Sequence, residues 1–447
     1  MIIYLAKFMI ADSSTVIANS YNKRQDHLAE RVVRGDIMSS DGHVLATTNV
    51  AEDGNEYRYY PNGNMFAHVV GFSTYGRSGL ELSSNYYLLT SNANIVERVR
   101  NSVYNEKNMG DTVVTTLDYN LQSTAYNAMG YAKGAVVVME PDTGKILAMV
   151  SKPDFDPNSI DVIWDSITDE TSSDKTILLN RATQGLYPPG STFKVLTSLE
   201  YMRENKDWER YSYECQGETV VNNVAIHCYN NTVHGTVSLA DSVAFSCNTS
   251  FSNLGASLDT DAFHSLCETF LFNKDLPYSG LSNKSSYVLN GKSDPSQIPQ
   301  TVIGQGDTLI SPLHNAMIMS TIANGGVMMK PYMLDHIENY NGDQVRSYSP
   351  SAYKRLMTVR ETQDMTELLC GVVDYGTGYV LNTSAYSVAG KTGTAEYNEK
   401  GESHSWFVGF SNVENPDIVV SVVIEEADVS GVRAVNVTKQ IFDAYYQ

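Results

Sequence analysis

Three short clusters carry residue types that can act on a carbonyl group. Ser191 and Lys194 stand three apart, directly after Pro188-Pro189-Gly190 and within the apolar run Phe193, Val195, Leu196, Leu199. That run predicts a helix start, and on a helix residues three apart share one face. A serine hydroxyl is a weak nucleophile until a base takes its proton. A lysine one turn on is such a base once its charge is suppressed, and a helix N-terminus favours negative charge developing near the serine. Ser246-Cys247-Asn248 closes a second apolar run, Leu239, Ala240, Val243, Ala244, Phe245. Gly390-Lys391-Thr392-Gly393-Thr394 follows Tyr386-Ser387-Val388-Ala389, which reads as strand, and adds a cation with two hydroxyls.

The S-x-x-K spacing is weak by itself. It recurs at Ser20/Lys23, Ser172/Lys175 and Ser351/Lys354, in polar or mixed segments without the Pro-Pro-Gly turn. There a helix-capping serine beside a solvated lysine is the better reading. S-x-x-K, then S-x-N, then K-T-G, each in a suitable context, is the signature of serine acyltransferases acting on penicillin-like and D-Ala-D-Ala-like substrates.

Something must hold these clusters together. The 447 residues suffice for two or three domains. A net charge of −20, from 51 acidic and 31 basic residues, disfavours nucleic acid as a partner. None of the five cysteines has the spacing of a metal knuckle, and His227, His234 and His404 are scattered, so neither metal nor cofactor is expected. Cys215 and Cys228 flank a polar loop and read equally as a disulfide or as two free thiols. Cys247 reads as a small buried packing residue. Met1 to Ala11 is apolar but short and interrupted by Lys7, neither a membrane span nor a convincing signal peptide.

Taken in order, residues 1 to about 20 read as an amphipathic helix. Ile37 and Val44-Leu45 form a small hairpin about Asp41-Gly42. Arg31 and Arg34 read as partners of carboxylates. Phe66 to Phe72 reads as a strand, and Gly79-Leu80-Glu81-Leu82 opens a helix. A non-catalytic accessory domain, residues 1–110, ends near Asp111. In residues 111–447, Val113 to Leu117 lead into a helix capped by Asp118. Gly134 to Met139 and Ile146 to Val150 pair as strands apolar on both faces, which calls for covering layers. Pro153 to Asp174 reads as loop, the stretch from Ser191 to Cys247 as mainly helical, and 273–299 as a polar excursion. Phe245 to Phe251, Phe263 and Leu266 are candidate core. Helices follow after Ser311-Pro312 and from Glu361, with Met317 to Met329 filling core. Three strands (Ala385 to Ala389, Trp406 to Phe410, Ile418 to Ile424) and a terminal helix from Val435 complete a sheet built from both chain ends, with a helical lobe between.

The motifs and their flanks resemble class B penicillin-binding proteins, monofunctional peptidoglycan transpeptidases. Arg34-Gly35-Asp36-Ile37, Gly79-Leu80-Glu81, Gly134 to Pro153, His234-Gly235, Gly304-Gln305-Gly306 with Pro312, Ala323-Asn324-Gly325-Gly326 and Trp406-Phe407-Val408-Gly409 are similar to family positions. The modest N-terminal part is most like the small PbpA-like group of Gram-positive bacteria. The resemblance implies an α+β fold of the penicillin-binding transpeptidase and serine β-lactamase type: an antiparallel sheet covered by helices, plus a helical lobe. A small mixed α/β pedestal or dimerisation-like domain precedes it. It implies a place on the extracytoplasmic face of the membrane, with a single-pass anchor expected upstream.

It also implies roles. Ser191 attacks the penultimate D-Ala carbonyl of a stem peptide, and Lys194 takes its proton. Lys391 is the cation expected to depress Lys194. Ser246 relays a proton to the leaving amine. Asn248 holds the substrate backbone and braces Lys194. Lys391, Thr392 and Thr394 receive the terminal carboxylate, and Gly393 clears room for substrate. The backbone N–H groups of Ser191 and Thr394 form the oxyanion hole, and the K-T-G strand offers an edge for the peptide. The implied partners are stem peptides, β-lactams, and a polytopic glycosyltransferase or other division or elongation proteins. The rival readings are a β-lactamase or β-lactam sensor, and a non-enzymatic scaffold of a wall-synthesis complex.

Overall fold

A computed structural model describes residues 28–169, 176–278, 294–396 and 402–447. The expected N-terminal helix, Ser20/Lys23, Ser172/Lys175 and most of the 273–299 excursion lie outside the described residues. No described helix is long and apolar enough to cross a membrane.

The larger part is built on a five-stranded antiparallel sheet. Its order is Val388–Glu396, Ser403–Ser411, Ile418–Ile424, Gly134–Met139, Ile146–Lys152, so both chain ends contribute. Every residue of Gly134–Met139 and Ile418–Ile424 is buried. The reason is that layers cover both faces, which is also why these strands lack polar alternation. Ala135, Val137 and Met139 pack with the helix Pro312–Ala323 in one core. Val136 and Val138 point the other way, into a core shared with the helices Tyr119–Met129 and Ala434–Tyr445. Caps set where the helices begin. Asp118 accepts the Leu121 N–H, Ser311 accepts the His314 N–H ahead of Pro312, and Thr358 forms a capping box with Glu361 before Val359–Asp374. The methionines at 317, 319 and 328 are core, as expected.

Four expectations fail locally. Ala67–Val70 is a buried helical turn rather than a strand, ended by Gly71 at φ 80°. A short apolar run buried on all sides has no period to read. The stretch Pro153 to Asp174 contains the helix Ile160–Thr168, started by Asp156 and Pro157. Between Glu204 and the helix Leu239–Ala244, which is helical as expected, short strands replace the expected helix. Glu218–Val221 and Val224–His227 form a hairpin, while Tyr213–Cys215 pairs with Gly235–Val237. The hairpin turns on Asn222 and Asn223, both left-handed, a two-residue connection that favours Asn. The strand expected from Ala385 begins at Val388.

A second sheet has six strands, in the order Gln344–Ser347, Leu334–Glu338, Thr112–Thr115, Ile37–Met38, Val44–Val50, Glu56–Tyr59. Thr112–Thr115 is therefore a strand and not only the lead-in to a helix. It pairs in parallel with Ile37–Met38 and antiparallel with Leu334–Glu338. Beside this sheet, Glu81 is fully buried between two guanidiniums. Arg34 Nε donates to its carboxylate at 2.6 Å, as does Arg58 Nε. Burial alone would raise the Glu81 carboxyl, but Arg34 and Arg58 outweigh it and hold it below the usual carboxylate range. Arg34 is thus an internal tie, as expected. Arg58 carried no sequence signal.

Candidate active site

The Pro188-Pro189-Gly190 turn is wedged where no side chain fits. Gly190 has φ 52°, and a Cβ on it would lie 2.7 Å from the Thr394 carbonyl oxygen. A Cβ on Gly304, at φ 76°, would lie 2.1 Å from the Gly190 oxygen. Gly190 N–H donates to Gly304 O at 2.9 Å, and Trp406 Nε1 donates to Pro188 O at 3.0 Å. Out of this turn comes one tight 3₁₀ turn, Gly190–Phe193, and then the α-helix Lys194–Glu204. Ser191 sits in the opening turn, where N–H groups precede the first helical acceptors.

Lys194 is fully buried. Its ammonium donates to Ser246 O at 2.8 Å, to Asn248 Oδ1 at 2.7 Å and to Ser246 Oγ at 3.3 Å. Burial lowers its pKa to about 7, with Cys247 and then Cys228 acting in the opposite direction. Lys391 was expected as the main cause; burial comes first, and the two ammoniums repel each other. Lys391 is itself driven well below its ordinary value, by burial first and by the charge on Lys194 second. Ser246 links the helices Leu239–Ala244 and Asn248–Gly255 at φ 57°, a conformation sparsely populated outside glycine. Asn248 bridges, accepting from Lys194 and donating through Nδ2 to His227 O at 2.9 Å.

These groups meet at a cavity of about 890 Å³ lined by Ser191, Ser246, Asn248, Thr392, Gly393 and Thr394. The K-T-G segment lies on the edge strand Val388–Glu396 of the five-stranded sheet. Thr392 Oγ1 is 2.5 Å from Thr377 Oγ1. Lys391 lies beneath the cavity wall, fully buried, its ammonium donating to Thr392 O at 3.1 Å. Gly393 answers to a different neighbour than expected. A Cβ there would come within 2.9 Å of Trp406 Cβ and 3.2 Å of Pro189 O. Its absent side chain therefore lets the strand close on the nucleophile turn.

Several lining residues were missed. Tyr375, Gly376 and Thr377 form one wall with no sequence signal beyond a Gly-Thr-Gly turn. Gln305 carried one, in Gly304-Gln305-Gly306. Phe245, read as core, is only part-buried and lines the cavity, its ring stacked on His234 at 5.9 Å. Cys215 and Cys228 are free thiols with sulfurs 3.7 Å apart. Cys247 is buried, as expected, but its sulfur joins theirs.

Residues 134–446 match the family model described as penicillin binding protein transpeptidase domain. The chain belongs to that family. Residues 34–113 match the penicillin binding protein A dimerisation domain, which places the protein among the class B penicillin-binding proteins. The D,D-transpeptidase PbpA of Mycolicibacterium smegmatis is 30% identical over 420 residues, 88% of this chain and 84% of that protein. Among solved structures, the D,D-transpeptidase domain of a peptidoglycan glycosyltransferase from Eggerthella lenta is 31% identical. It aligns with TM-score 0.82 over 93% of this chain and 98% of its own. Penicillin-binding protein A of M. tuberculosis, solved as its imipenem acyl-enzyme, is 28% identical with TM-score 0.85, over 94% of this chain and all of that one. This penicillin-binding protein has the family's fold: a helix-covered antiparallel sheet, a helical lobe and an N-terminal accessory part.

Proposed function

We propose that the protein is a peptidoglycan D,D-transpeptidase that works through a serine acyl-enzyme and is acylated by β-lactams. The observation that carries this reading is Lys194: buried, depressed to about 7, held by Ser246 and Asn248, and one turn from Ser191 at the cavity. Ser191 attacks the penultimate D-Ala carbonyl and Lys194 accepts its proton. Backbone N–H groups of Ser191 and Thr394 hold the oxyanion. Ser246, 3.3 Å from the Lys194 ammonium, passes a proton to the departing D-Ala amine. The donor peptide lies along the edge strand as an added strand. Its carboxylate meets Thr392 and Thr394, with Lys391 acting from beneath, and Asn248 steadies its backbone. An amine of a neighbouring stem peptide then takes the acyl group.

Residues 1–110 serve as a pedestal for the catalytic part, 111–447. They set the enzyme at the outer face of the cell membrane, beside a polytopic glycosyltransferase or other wall-synthesis proteins. The match of residues 34–113 to a penicillin binding protein A dimerisation domain supports this division of labour.

Incubation with penicillin should add one β-lactam mass per chain, on Ser191, and Ser191→Ala should stay unlabelled. The adduct should persist for many minutes. Rapid multiple turnover of a chromogenic cephalosporin would instead mark a β-lactamase, and label surviving in Ser191→Ala would place the nucleophile elsewhere.

A further inference from the structure

Behind the cavity wall, four side chains from separate elements converge. Cys215 ends the strand Tyr213–Cys215, Cys228 follows Val224–His227, His234 precedes Gly235–Val237, and Cys247 precedes the helix Asn248–Gly255. Their ligand atoms all lie within 4.8 Å of one another. Cys228 Sγ is 3.7 Å from both Cys215 Sγ and Cys247 Sγ, and Cys215 Sγ is 3.4 Å from His234 Nδ1. The three cysteines are at most 2% exposed and form a small cluster of their own.

We infer that Cys215, Cys228, His234 and Cys247 form a closed, tetrahedral site for one thiophilic divalent cation, zinc by preference, which fastens the Ser246–Asn248 loop against the short strands behind it. The distances decide for an ion. A tetrahedron with Zn–S of about 2.3 Å and Zn–N of about 2.0 Å has S–S edges of about 3.8 Å and S–N edges of about 3.5 Å. Two S–S separations of 3.7 Å and one S–N separation of 3.4 Å match those edges, and the remaining three are no longer than 4.8 Å. A disulfide would join two of the three sulfurs and leave the third thiol and the imidazole without a role, whereas one cation uses all four groups. Binding turns three thiols into thiolates and releases three protons, with His234 neutral. The outer shell also fits. Thr249 Oγ1 donates to Cys215 Sγ at 3.2 Å and lies 3.4 Å from Cys247 Sγ and 3.6 Å from Cys228 Sγ. A hydroxyl over thiolates is the kind of support that metal ligands keep.

The position gives the site its use. Cys247 is the middle residue of Ser246-Cys247-Asn248, and Cys228 follows His227, whose carbonyl takes the Asn248 amide. A cation holding both cysteines therefore fixes Asn248 from two sides, and through it Lys194. With four protein ligands the ion has no open position, so its part is structural and not that of a Lewis acid.

The test uses the full chain, purified under reducing conditions without chelator. Metal analysis should find about one zinc per chain, and Cys215→Ser or Cys228→Ser should remove it. Cobalt in place of zinc should give the intense visible bands of a tetrahedral thiolate site. That readout holds even where the serine variants fail to fold. Stripping zinc with dipicolinate should slow β-lactam acylation on the order of tenfold, and added zinc should restore it. Only this last arm rests on the acyl-enzyme reading. A native chain free of metal that takes up no cobalt overturns the site, whether its thiols titrate free or its mass is two hydrogens short. A metal-loaded chain whose acylation ignores zinc removal overturns the fastening role. A metal-loaded chain that no β-lactam acylates overturns the function and leaves the site standing.

Discussion

The acid limb of the acylation rate follows from the burial of Lys194. At its ordinary value of 10.5, a lysine is neutral at pH 7 in roughly one molecule in three thousand; at about 7 it is neutral in half. Only the neutral amine takes the Ser191 proton. The second-order rate of β-lactam acylation should therefore level off above pH 7 and fall about tenfold per pH unit below it, near a hundredfold by pH 5. Asn248→Asp tests the cause. It sets a carboxylate where Oδ1 now accepts from the ammonium at 2.7 Å. An opposite charge at that range favours the protonated amine and raises its pKa by about 1 to 3. The limb should move up by that amount, so the rate at pH 7 drops roughly fivefold to five-hundredfold and recovers as pH rises. Stopped-flow acylation with a chromogenic cephalosporin across pH 5 to 10 reads both. A flat wild-type profile removes Lys194 as the base. A variant profile lowered everywhere, with its limb unmoved, makes Asn248 a substrate contact without electrostatic reach.

Gly304→Ala should destabilise by about 1 to 3 kcal/mol and abolish acylation, because its Cβ meets the Gly190 oxygen. Gly306→Ala has the same positive φ but nothing closer than 3.8 Å, so it should keep acylation within a few-fold; equal losses would refute the contact argument. Glu81→Gln leaves Arg34 and Arg58 without their carboxylate and should cost about 3 kcal/mol by calorimetry at pH 7. Because the folded Glu81 carboxyl is depressed, its stabilisation is complete above the unfolded value of about 4.5 and is lost as pH falls through the folded one. The gap between wild type and Glu81→Gln should accordingly close in acid.

What could be read from the sequence depended on how locally each feature is encoded. Ser191, Lys194, Ser246, Asn248 and the K-T-G strand announce themselves through short motifs, and the structure gathers Ser191, Ser246, Asn248, Thr392 and Thr394 on one cavity, with Lys194 and Lys391 buried alongside. Asp118 and Ser311 marked helix starts because a cap is a matter of two or three residues; the Thr358–Glu361 capping box went unread, and the helix expected from Glu361 starts at Val359. Ala67–Val70 was misread because burial on every side erases periodicity. The hairpin at Asn222-Asn223 was legible in principle, as two short runs with β-branched residues about a two-residue turn, but its neighbourhood of helices masked it. Lys194's environment was not legible. Its depression comes from burial under Phe251 and the Ser246 loop, elements more than fifty residues away. The cysteine cluster escaped for the same reason, its four ligands being spread from 215 to 247 and assembled only by strand pairing.

The sheet made from both ends of the chain sets a timetable for synthesis. Met139 pairs with Val419, so Gly134–Met139 waits for roughly 280 further residues before its second neighbour exists. At about 5 to 20 residues per second, that is roughly 15 to 55 s. Throughout it, the early hairpin Gly134–Lys152 carries two apolar faces and the bare outer edge of Gly134–Met139, the features that invite association with other chains. Pairing with Ile418–Ile424 and packing of the helix Ala434–Tyr445 are what end that exposure.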